Sequence, residues 1–310
     1  MISPETSDHP LPGKRSYQAG ISLLGFFGRL RREKARELIV FLSGGASSLA
    51  WLRPKGISER ELRVRLTKLY RRPMTIRQLN RERSRLCLLK AGGALRLLKI
   101  LAPGLRVKVV VLSDVSPYGV EIVGSGPFLG ARHILLADNR TLAQAARRRF
   151  KEEKILDFRH SQMGSEKKWA LALEKKIARA LRSRQEGVLI WAGEPQVELP
   201  KKTRGHGGRQ TQLAARLALR FWDEIRSGRV EILCGSSDGR DGTSESAATH
   251  LSRHSGHRIK KMNPSLQRQL KKAIECFDTA PLLRRNGFLI PAYSTGTNLQ
   301  DLVLIRVMAS

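Results

Sequence analysis

The sequence predicts an α/β protein with a largely parallel β-sheet. Short runs of apolar and β-branched residues each end in Gly, Ser or Asp, as buried strands do. Between these runs lie segments in which apolar residues recur at helical spacing, and this alternation of strand and helix is typical of parallel sheets. Because 41% of the 310 residues are hydrophobic, the chain can bury a core.

The elements follow one another along the whole chain. Strands are predicted at 37–45, 106–115, 133–139, 187–194 and 230–239, with a strand, a loop and a second strand at 286–307. Helices are predicted at 58–71, 75–101, 141–156, 165–184, 208–225 and 263–278. Ligands of open α/β sheets bind beyond the carboxyl ends of the strands, where the Gly, Ser and Asp residues of this chain lie. We expect the functional site there.

A change of composition predicts two domains. A charged helical segment within 157–190 precedes a new series of strands, and 310 residues are enough for two domains. We predict an N-terminal domain at 1–165 and a smaller C-terminal domain at 166–310, which closes with sheet near the C-terminus.

The charge of the chain is unusual. Its 58 Lys and Arg residues against 27 Asp and Glu residues give a formal net charge of +31. Such an excess favours anionic partners, and nucleic acid is one candidate. Against nucleic acid, the basic residues are spread along helices, where a solvated face explains most of them, and only 5% of the residues are aromatic. Anionic metabolites are the other candidate.

The sequence indicates a cytoplasmic protein that does not enter a membrane. Its first twenty residues lack the charged-then-apolar order of a secretory signal, and no run of about 18 apolar residues is present. Cys87, Cys234 and Cys276 are far apart and match no metal-ligand spacing. We expect all three to be small core residues in a reducing compartment, without disulfides or zinc.

The stretch TRGHGGRQTQLAARLALRF, at 203–221, reads as a glycine-rich loop that opens a helix. Exposed amides at a helix start suit phosphate or carboxylate, and glycines let such a ligand approach closely. Arg209 adds a bidentate donor. A glycine-rich turn with an exposed arginine is the alternative.

Three further candidate sites follow predicted strands. LSGGASSLA, at 42–50, has amides and hydroxyls that can hold an anion, but it lacks the Gly-Lys-Ser/Thr of a Walker loop and can equally be a tight turn. Asp114, at a strand end, can hold Mg²⁺, accept a proton or cap a helix. Asp238, Asp241 and Glu245 lie in a second acidic loop that lacks the EF-hand pattern, with Asx turns as the alternative.

Two weaker signals remain. YSTGTNLQD offers hydroxyl and amide donors of the kind that line phosphate oxygens, at Thr295, Thr297 and Asn298. Three histidines share helical spacing, which leaves a metal site as a minor alternative: His250, His254 and His257.

Seven segments carry a family resemblance: FLSGGASSL, LSDVSPYGVEIVGSGP, ADNRTLAQAA, WAGEPQV, GHGGRQTQLA, SSDGRDGTSESAA and STGTNLQDL. In this order and spacing, from about residue 8 to residue 307, they resemble the glycerate 2-kinase family that carries a MOFRL domain. The most specific are the GGR, DGRDG and TGTN loops. Some family members have been labelled hydroxypyruvate reductases, but no GxGxxG dinucleotide fingerprint is present, so the kinase interpretation is favoured.

The resemblance implies a fold and a reaction. The fold is a Rossmann-like three-layer N-terminal domain with a mostly parallel sheet, plus a smaller C-terminal α/β (MOFRL) domain, with the active site in the cleft between them. The reaction is ATP-dependent phosphorylation of glycerate at the 2-hydroxyl, with Mg²⁺ required. Phosphoryl transfer needs charge neutralisation and positioning, which glycine-lined anion sites, an arginine and carboxylates supply.

The resemblance also implies residue roles. Arg209 matches the essential arginine of the family, and it would hold anionic oxygens together with the amides of Gly207 and Gly208. Metal binding and acceptance of the hydroxyl proton are implied, without deciding which does which, for three carboxylates: Asp114, Asp238 and Asp241. The implied substrate- or nucleotide-binding residues are Ser43, Gly44, Gly45 and Ser47 of the first turn, Asn80, Arg83 and Lys90 of a polar helix face, and Thr295, Thr297 and Asn298.

Several positions depart from the family pattern. The match starts near DHPLP at 8–12, so the N-terminal GAGKA turn, whose lysine is held to be catalytic, has no counterpart. Lys14 and Lys90 are the candidates to replace that lysine, although neither lies in a matching motif. The pattern SDVxGDD is SDVSPYG here, GGRNQE is GGRQTQ, and Glu245 replaces an aspartate. Three hypotheses follow: a glycerate 2-kinase, a catalytically impaired relative that binds nucleotide or anions, and a basic nucleic-acid-binding protein.

Overall fold

The computed structural model describes residues 12–70, 72, 74, 76–115, 119–199, 205–255 and 263–308. Within these residues, no helix combines the length and the apolar character that crossing a bilayer requires. The contacts divide the chain into two compact units, Met1–Leu136 and Ala137–Ser310. The domain boundary predicted at 165/166 falls inside the second unit, which is the longer of the two.

The first unit contains a three-stranded sheet and five helices in the described ranges. Its elements are α1 (Lys14–Arg32), β1 (Glu37–Leu42), α2 (Ala46–Leu49), α3 (Glu59–Tyr70), α4 (Ile76–Arg85), α5 (Gly93–Leu101), β2 (Arg106–Leu112), a 3₁₀ turn (Val120–Ser125) and β3 (Arg132–Ala137). The sheet order is β1-β2-β3, and β1 lies parallel to β2 with Leu38 opposite Val107. Its core joins Val109 and Val111 of the central strand to Leu62, Leu66 and Leu98 of the helices.

The second unit contains a mixed six-stranded sheet. Its elements are α6 (Asn139–Arg149), β4 (Ile155–Gln162), α7 (Glu166–Arg182), β5 (Gly187–Gly193), α8 (Arg209–Ser227), β6 (Val230–Ser236), β7 (Ser246–Leu251), α9 (Pro264–Glu275), α10 (Thr279–Arg285), β8 (Leu289–Pro291) and β9 (Asp301–Val307). The strand order is β4-β5-β9-β6-β7-β8. Only the β4–β5 pair is parallel, and each of the other pairs described is antiparallel.

The α/β class and the five predicted strands are confirmed, but several elements differ. The helix predicted at 75–101 is two helices, because Gly92 adopts a left-handed backbone (φ +79°) just before α5. The helix predicted at 141–156 ends at Arg149, and β4 follows it. The helical spacing of the histidines is misleading, since His250 lies in strand β7 and His254 in the turn after it, while His257 lies outside the described residues.

The cysteine prediction is confirmed for two of the three residues. Cys87 and Cys234 are buried, and burial raises the pKa of the Cys234 thiol. Cys276 is exposed, so its prediction as a core residue is wrong. It is the residue that follows α9, and it lies with exposed Glu275 on the solvent side of the chain, whereas Ile274 and Phe277 face the core.

Helices α7 and α8 of the second unit are held against the sheet by the apolar core. Helix α8 is buried along most of its length and contributes Leu213, Leu217 and Phe221 to the largest apolar cluster. Trp169 of α7 meets Trp191 of β5 edge-on, with ring centroids 5.5 Å apart. Because α8 packs its apolar face against the sheet, its first residue is held at one edge of that sheet.

A buried amide orders the start of α6. Asn139 is completely buried, and its Oδ1 accepts hydrogen bonds from the amide and the hydroxyl of Ser161, each at 3.1 Å. Its Nδ2 donates to Oε1 of Gln300, in the loop that precedes β9. Asn139 therefore connects β4 to the start of β9 through side-chain hydrogen bonds.

Replacing Asn139 by Ala tests this connection. The variant removes the hydrogen bonds of Asn139 to Ser161 and Gln300 at a completely buried position, so we expect Asn139→Ala to lower the free energy of unfolding by about 1–3 kcal/mol in urea denaturation. Gln144→Ala, at an exposed position of the same helix, is the matched control and should change it by less than about 0.5 kcal/mol. Equal losses in both variants would contradict the role of Asn139.

Candidate functional site

Arg209 lies at one end of the second sheet, beside the adjacent ends of strands β5, β9 and β6. Residue Asp301, the first of β9, pairs in register with Gly193 at the end of β5 and with Ser236 at the end of β6. Arg209 is the first residue of α8, and its Nε lies 3.0 Å from Oδ2 of Asp301. Its Nη1 donates to the carboxylate of Glu194, which directly follows β5.

The neighbouring carboxylates keep the guanidinium of Arg209 positively charged. Burial disfavours the charged guanidinium, but Asp301 and Glu194 more than offset that cost, and the pKa of Arg209 rises above its ordinary value. The side chain stays 34% exposed, although Asp301 beside it is completely buried. Arg209 is thus a permanently charged, oriented group with one side open to a ligand.

Asp301 is the most deeply buried carboxylate of this cluster. Burial raises its pKa to about 7, although Arg209 and the Ser236 hydroxyl, which donates at 2.6 Å, both favour the charged form. The negative charge of Asp241 adds to the rise. A carboxylate in such surroundings is held by its partners, so Asp301 positions Arg209.

Asp241 closes the amino end of α8. Its two oxygens accept hydrogen bonds from the amides of Gln210 at 3.0 Å and Thr211 at 2.8 Å, and only 1% of the residue is exposed. Burial raises the pKa of Asp241, and these amides together with Arg209 oppose the rise. The structure therefore brings the loop around 238–241 against the loop at 205–209.

The glycines of the GGR loop are closely packed. A Cβ on Gly208 would lie 2.1 Å from the carboxyl carbon of Asp241, so only glycine fits there. The amide of Gly207 donates to the hydroxyl of Thr243, and that of Gly208 to the hydroxyl of Thr211. Both amides are engaged within the protein, and their predicted contact with anionic oxygens would require these bonds to open.

The DGRDG and TGTN loops are tied together. Asp238 is exposed, and its Oδ1 accepts the amide of Arg240 at 2.9 Å in an Asx turn. The hydroxyl of Thr295 donates to the carbonyl of Ser237 at 2.6 Å. Asn298 is exposed and Thr297 is half-buried. Oδ1 of Asn298 accepts a hydrogen bond from the amide of Gln300. These side chains lie near the same edge as Arg209.

The metal prediction has limited support from the geometry. Among the residues that the structure describes, no three His, Cys, Asp or Glu side chains are grouped to hold an ion. Asp241 uses both oxygens on α8, and Asp238 is the exposed carboxylate of its loop. One exposed carboxylate can contribute a ligand to a Mg²⁺ ion that is coordinated mainly by phosphate oxygens. It cannot supply a site in which protein side chains provide most of the ligands.

The first unit holds the remaining predicted residues around the turn after β1. Ser43, Gly44 and Gly45 connect β1 to the short helix α2, which contains Ser47. A Cβ on Gly44 would lie 1.6 Å from Oδ2 of Asp114, so the absence of a side chain on Gly44 makes room for that carboxylate. Asp114 thus lies against this turn, whereas Asp238 and Asp241 belong to the second unit.

The side chains of Arg83 and Lys90 both contact the short helix α2 that follows this turn. Nη2 of Arg83 donates to the carbonyl of Ser47 at 2.8 Å, and Nζ of Lys90 donates to the same oxygen. Nζ of Lys90 also lies 4.6 Å from the ring centre of Trp51. Among the described residues, neither cation has an ion-pair partner, and Nε of Arg83 has no hydrogen-bond partner. An anion would complete this arrangement.

Burial lowers the pKa of Lys90. Lys90 is 3% exposed, and burial, with the charge of Arg83 beside it, lowers its pKa to about 7. Asn80, the third predicted residue of this helix face, accepts a hydrogen bond at Oδ1 from the Ser125 hydroxyl at 3.3 Å. Asn80 and Arg83 lie on α4, but Lys90 lies in the turn between α4 and α5, so the single polar helix face predicted for the three residues is wrong for Lys90 because α4 ends at Arg85.

Sequence reasoning missed two carboxylates, Glu194 and Asp301. Both lie within the motifs WAGEPQV and STGTNLQDL, but neither was given a role. Gln300 was missed too, and its Nε2 lies 3.5 Å from Glu194. The available signal was position, since Glu194 follows a buried strand and Asp301 precedes one. Their pairing with Arg209 depends on strand order, which the sequence does not show.

Comparisons with known proteins show the family of this chain. Residues 2–154 match the domain of unknown function DUF4147, and residues 187–301 match the MOFRL family. A D-glycerate 2-kinase of Thermotoga maritima is 24% identical, with 96% of this chain and 78% of the relative aligned. The chain belongs to the glycerate 2-kinase family that carries a MOFRL domain. A glycerate 2-kinase of Picrophilus torridus is 25% identical over 96% of this chain and 75% of its own length.

A solved structure shows the fold of this family. The crystal structure of a glycerate kinase from Thermotoga maritima matches with a TM-score of 0.79 at 20% identity, covering 97% of this chain and 80% of that chain. At this identity the likeness shows a shared fold, which confirms the predicted combination of a Rossmann-like domain and an α/β MOFRL domain.

Gly208→Ala tests the packing of the GGR loop. The added methyl group would overlap the carboxyl group of Asp241, so we expect a loss of about 1–3 kcal/mol in the free energy of unfolding. Gly25→Ala in α1, where a Cβ meets nothing within 4 Å, is the matched control and should be neutral or stabilising. If Gly208→Ala is as stable as the control variant in thermal unfolding, the contact is wrong.

Lys90→Met tests the lowered pKa. Between pH 7 and about 10 the unfolded chain holds a proton on Lys90 that the folded chain does not, so this residue makes stability rise with pH, by at most roughly 1.4 kcal/mol per pH unit. The rise should be missing from Lys90→Met and kept in Lys99→Met, an exposed site on α5. Urea denaturation at pH 7, 8 and 9 measures it, and parallel pH profiles for wild type and Lys90→Met would refute it.

Proposed function

We propose that this protein is a glycerate 2-kinase, which transfers the γ-phosphoryl group of ATP to the 2-hydroxyl of glycerate. Two relatives named as glycerate 2-kinases, each aligned with 96% of the chain, support this reaction. The observation that carries the proposal is Arg209, a charged and oriented guanidinium, partly exposed at the sheet edge. The cytoplasmic location expected from the sequence belongs to the same proposal.

The reaction needs the groups that this edge supplies. A bond forms between the 2-hydroxyl oxygen and the γ-phosphorus, the bond from phosphorus to the β,γ-bridging oxygen breaks, and the hydroxyl proton leaves to a base. Arg209 would stabilise the charge of the transferred group with its fork of donors. Asp238 is exposed and would either accept the proton or contact a Mg²⁺ ion held by the phosphates.

In the first unit, Arg83 and Lys90 would bind an anionic group of the substrate or the nucleotide. Their shared contact is a neutral carbonyl, and a carboxylate or phosphate is a stronger partner for two buried cations. Other binding roles stay proposals, namely those of Ser43, Gly44, Gly45, Ser47, Asn80, Thr295, Thr297 and Asn298. So does a metal or proton-transfer role for Asp114.

A catalytically impaired protein that binds nucleotide is the second candidate. It is favoured by the engagement of Asp241 with α8 and of the Gly207 and Gly208 amides with threonine hydroxyls. Calorimetry with ATP and a coupled assay with glycerate, ATP and Mg²⁺ separate the two candidates. Binding without turnover supports the second, and turnover supports the first.

Arg209→Gln tests the kinase directly. Removing a preorganised charged donor should lower kcat by about 10²- to 10³-fold in the coupled assay, and Arg209→Lys should recover only part of the rate because a lysine lacks the fork geometry. Arg226→Lys, in the last turn of the same helix, is the matched control and should keep the wild-type rate. A wild-type protein that turns over no glycerate even at high concentration would remove the kinase proposal.

A further inference from the structure

A cationic groove lies between helices α3 and α4 in the first unit. It has a volume of about 310 Å³ and is lined by four basic residues, one acidic residue and two leucines: Arg65, Lys68, Arg72, Arg85, Glu82, Leu69 and Leu86. In the sequence, residues 59–85 include ten Lys and Arg residues against three glutamates. This segment therefore carries +7 of the +31 excess charge of the chain, and part of that charge lines a concave surface.

The carboxylates of this region neutralise only part of the charge. Glu61 pairs with Arg65, and Glu82 pairs with Arg85 at 2.9 Å, both at exposed positions where such pairs contribute little. Lys68 and Arg72 are exposed and have no ion-pair partner among the described residues. Two cations at the groove are thus available to an external anion.

The shape of the groove strengthens its field. Leu69 is 7% exposed and forms an apolar floor together with the half-buried Leu86. Low-dielectric walls around charges of one sign focus the electrostatic potential and raise the local concentration of anions. Residues three or four apart on α3 lie on one face of the helix, so Arg65 and Lys68 form a row along one wall.

We propose that this groove binds the phosphodiester backbone of duplex nucleic acid. Interfaces with nucleic acid are polar and strongly positive, and contacts to phosphate oxygens come chiefly from Arg and Lys. A lipid surface is a poorer match because the leucines lie beneath the cations and cannot insert. An acidic protein is also a poorer match, since protein interfaces depend on aromatic or apolar anchors that a partner can bury, and Leu69 in this groove is only 7% exposed.

The binding is independent of sequence in the nucleic acid. Four basic side chains line the groove, and among the described residues that line it none is aromatic, so none can stack on a base. Affinity should therefore arise from counterion release, and it should fall steeply as salt increases.

The test measures fluorescence anisotropy of a labelled 20-base-pair DNA duplex with the full chain between 50 and 300 mM salt. The double variant Lys68→Ala/Arg72→Ala removes two phosphate contacts, so the slope of log K against log salt should fall by about 2, and affinity near 100 mM should fall roughly 10- to 100-fold. The matched control is Arg148→Ala/Arg149→Ala, which removes the same charge from exposed positions of α6 in the second unit.

Each outcome decides the proposal. A loss in the groove variant that is at least fivefold larger than in the control variant supports it, provided that the two proteins unfold at the same temperature as wild type. Equal losses would show that net charge alone binds the duplex, and no binding by wild type at 50 mM salt would also overturn the proposal. So would competition by anionic lipid vesicles or polyglutamate that is as strong, per charge, as competition by unlabelled duplex.

Discussion

The amino end of α8 depends on the buried carboxylate of Asp241. A helix begins with amides that have no partner within the helix, and a negative charge is favoured at that end. Asp241 supplies both the acceptors and the charge, through hydrogen bonds to Gln210 and Thr211. This contact sets where α8 begins, and so it places Arg209 against Asp301 at the sheet edge.

The surroundings of the buried cation, and therefore the direction of its pKa shift, differ between the two units. In the second unit, Arg209 is surrounded by carboxylates and stays charged. In the first unit, burial without a carboxylate partner brings the pKa of Lys90 to about 7. The physical difference lies in both the partner and the side chain, because an ammonium group loses its proton on desolvation far more readily than a guanidinium. One unit thus holds a permanent charge and the other a group that can titrate near neutrality.

Glycine has the same role in two turns, one in each unit. A Cβ at Gly44 would overlap the carboxyl group of Asp114, and a Cβ at Gly208 would overlap that of Asp241. Glycine-rich turns at strand and helix ends are commonly interpreted as places where a ligand approaches the backbone. At both turns in this protein, the group that approaches is a carboxylate of the protein itself. The ligand-facing group of the second unit is instead the side chain of Arg209.

The sequence by itself determined the α/β class, the five strands and the motifs GGR, DGRDG and TGTN, because periodicity and turn residues are local properties. It missed β4 and β7, whose sequences mix polar and apolar residues and become strands only through their neighbours in the sheet. Tertiary structure alone decided that Glu194 and Asp301 orient Arg209, that Asp241 binds α8, and that Lys90 is buried beside Arg83. Each depends on strand order or helix packing, which brings together residues far apart in the chain and fixes how much water each charge retains.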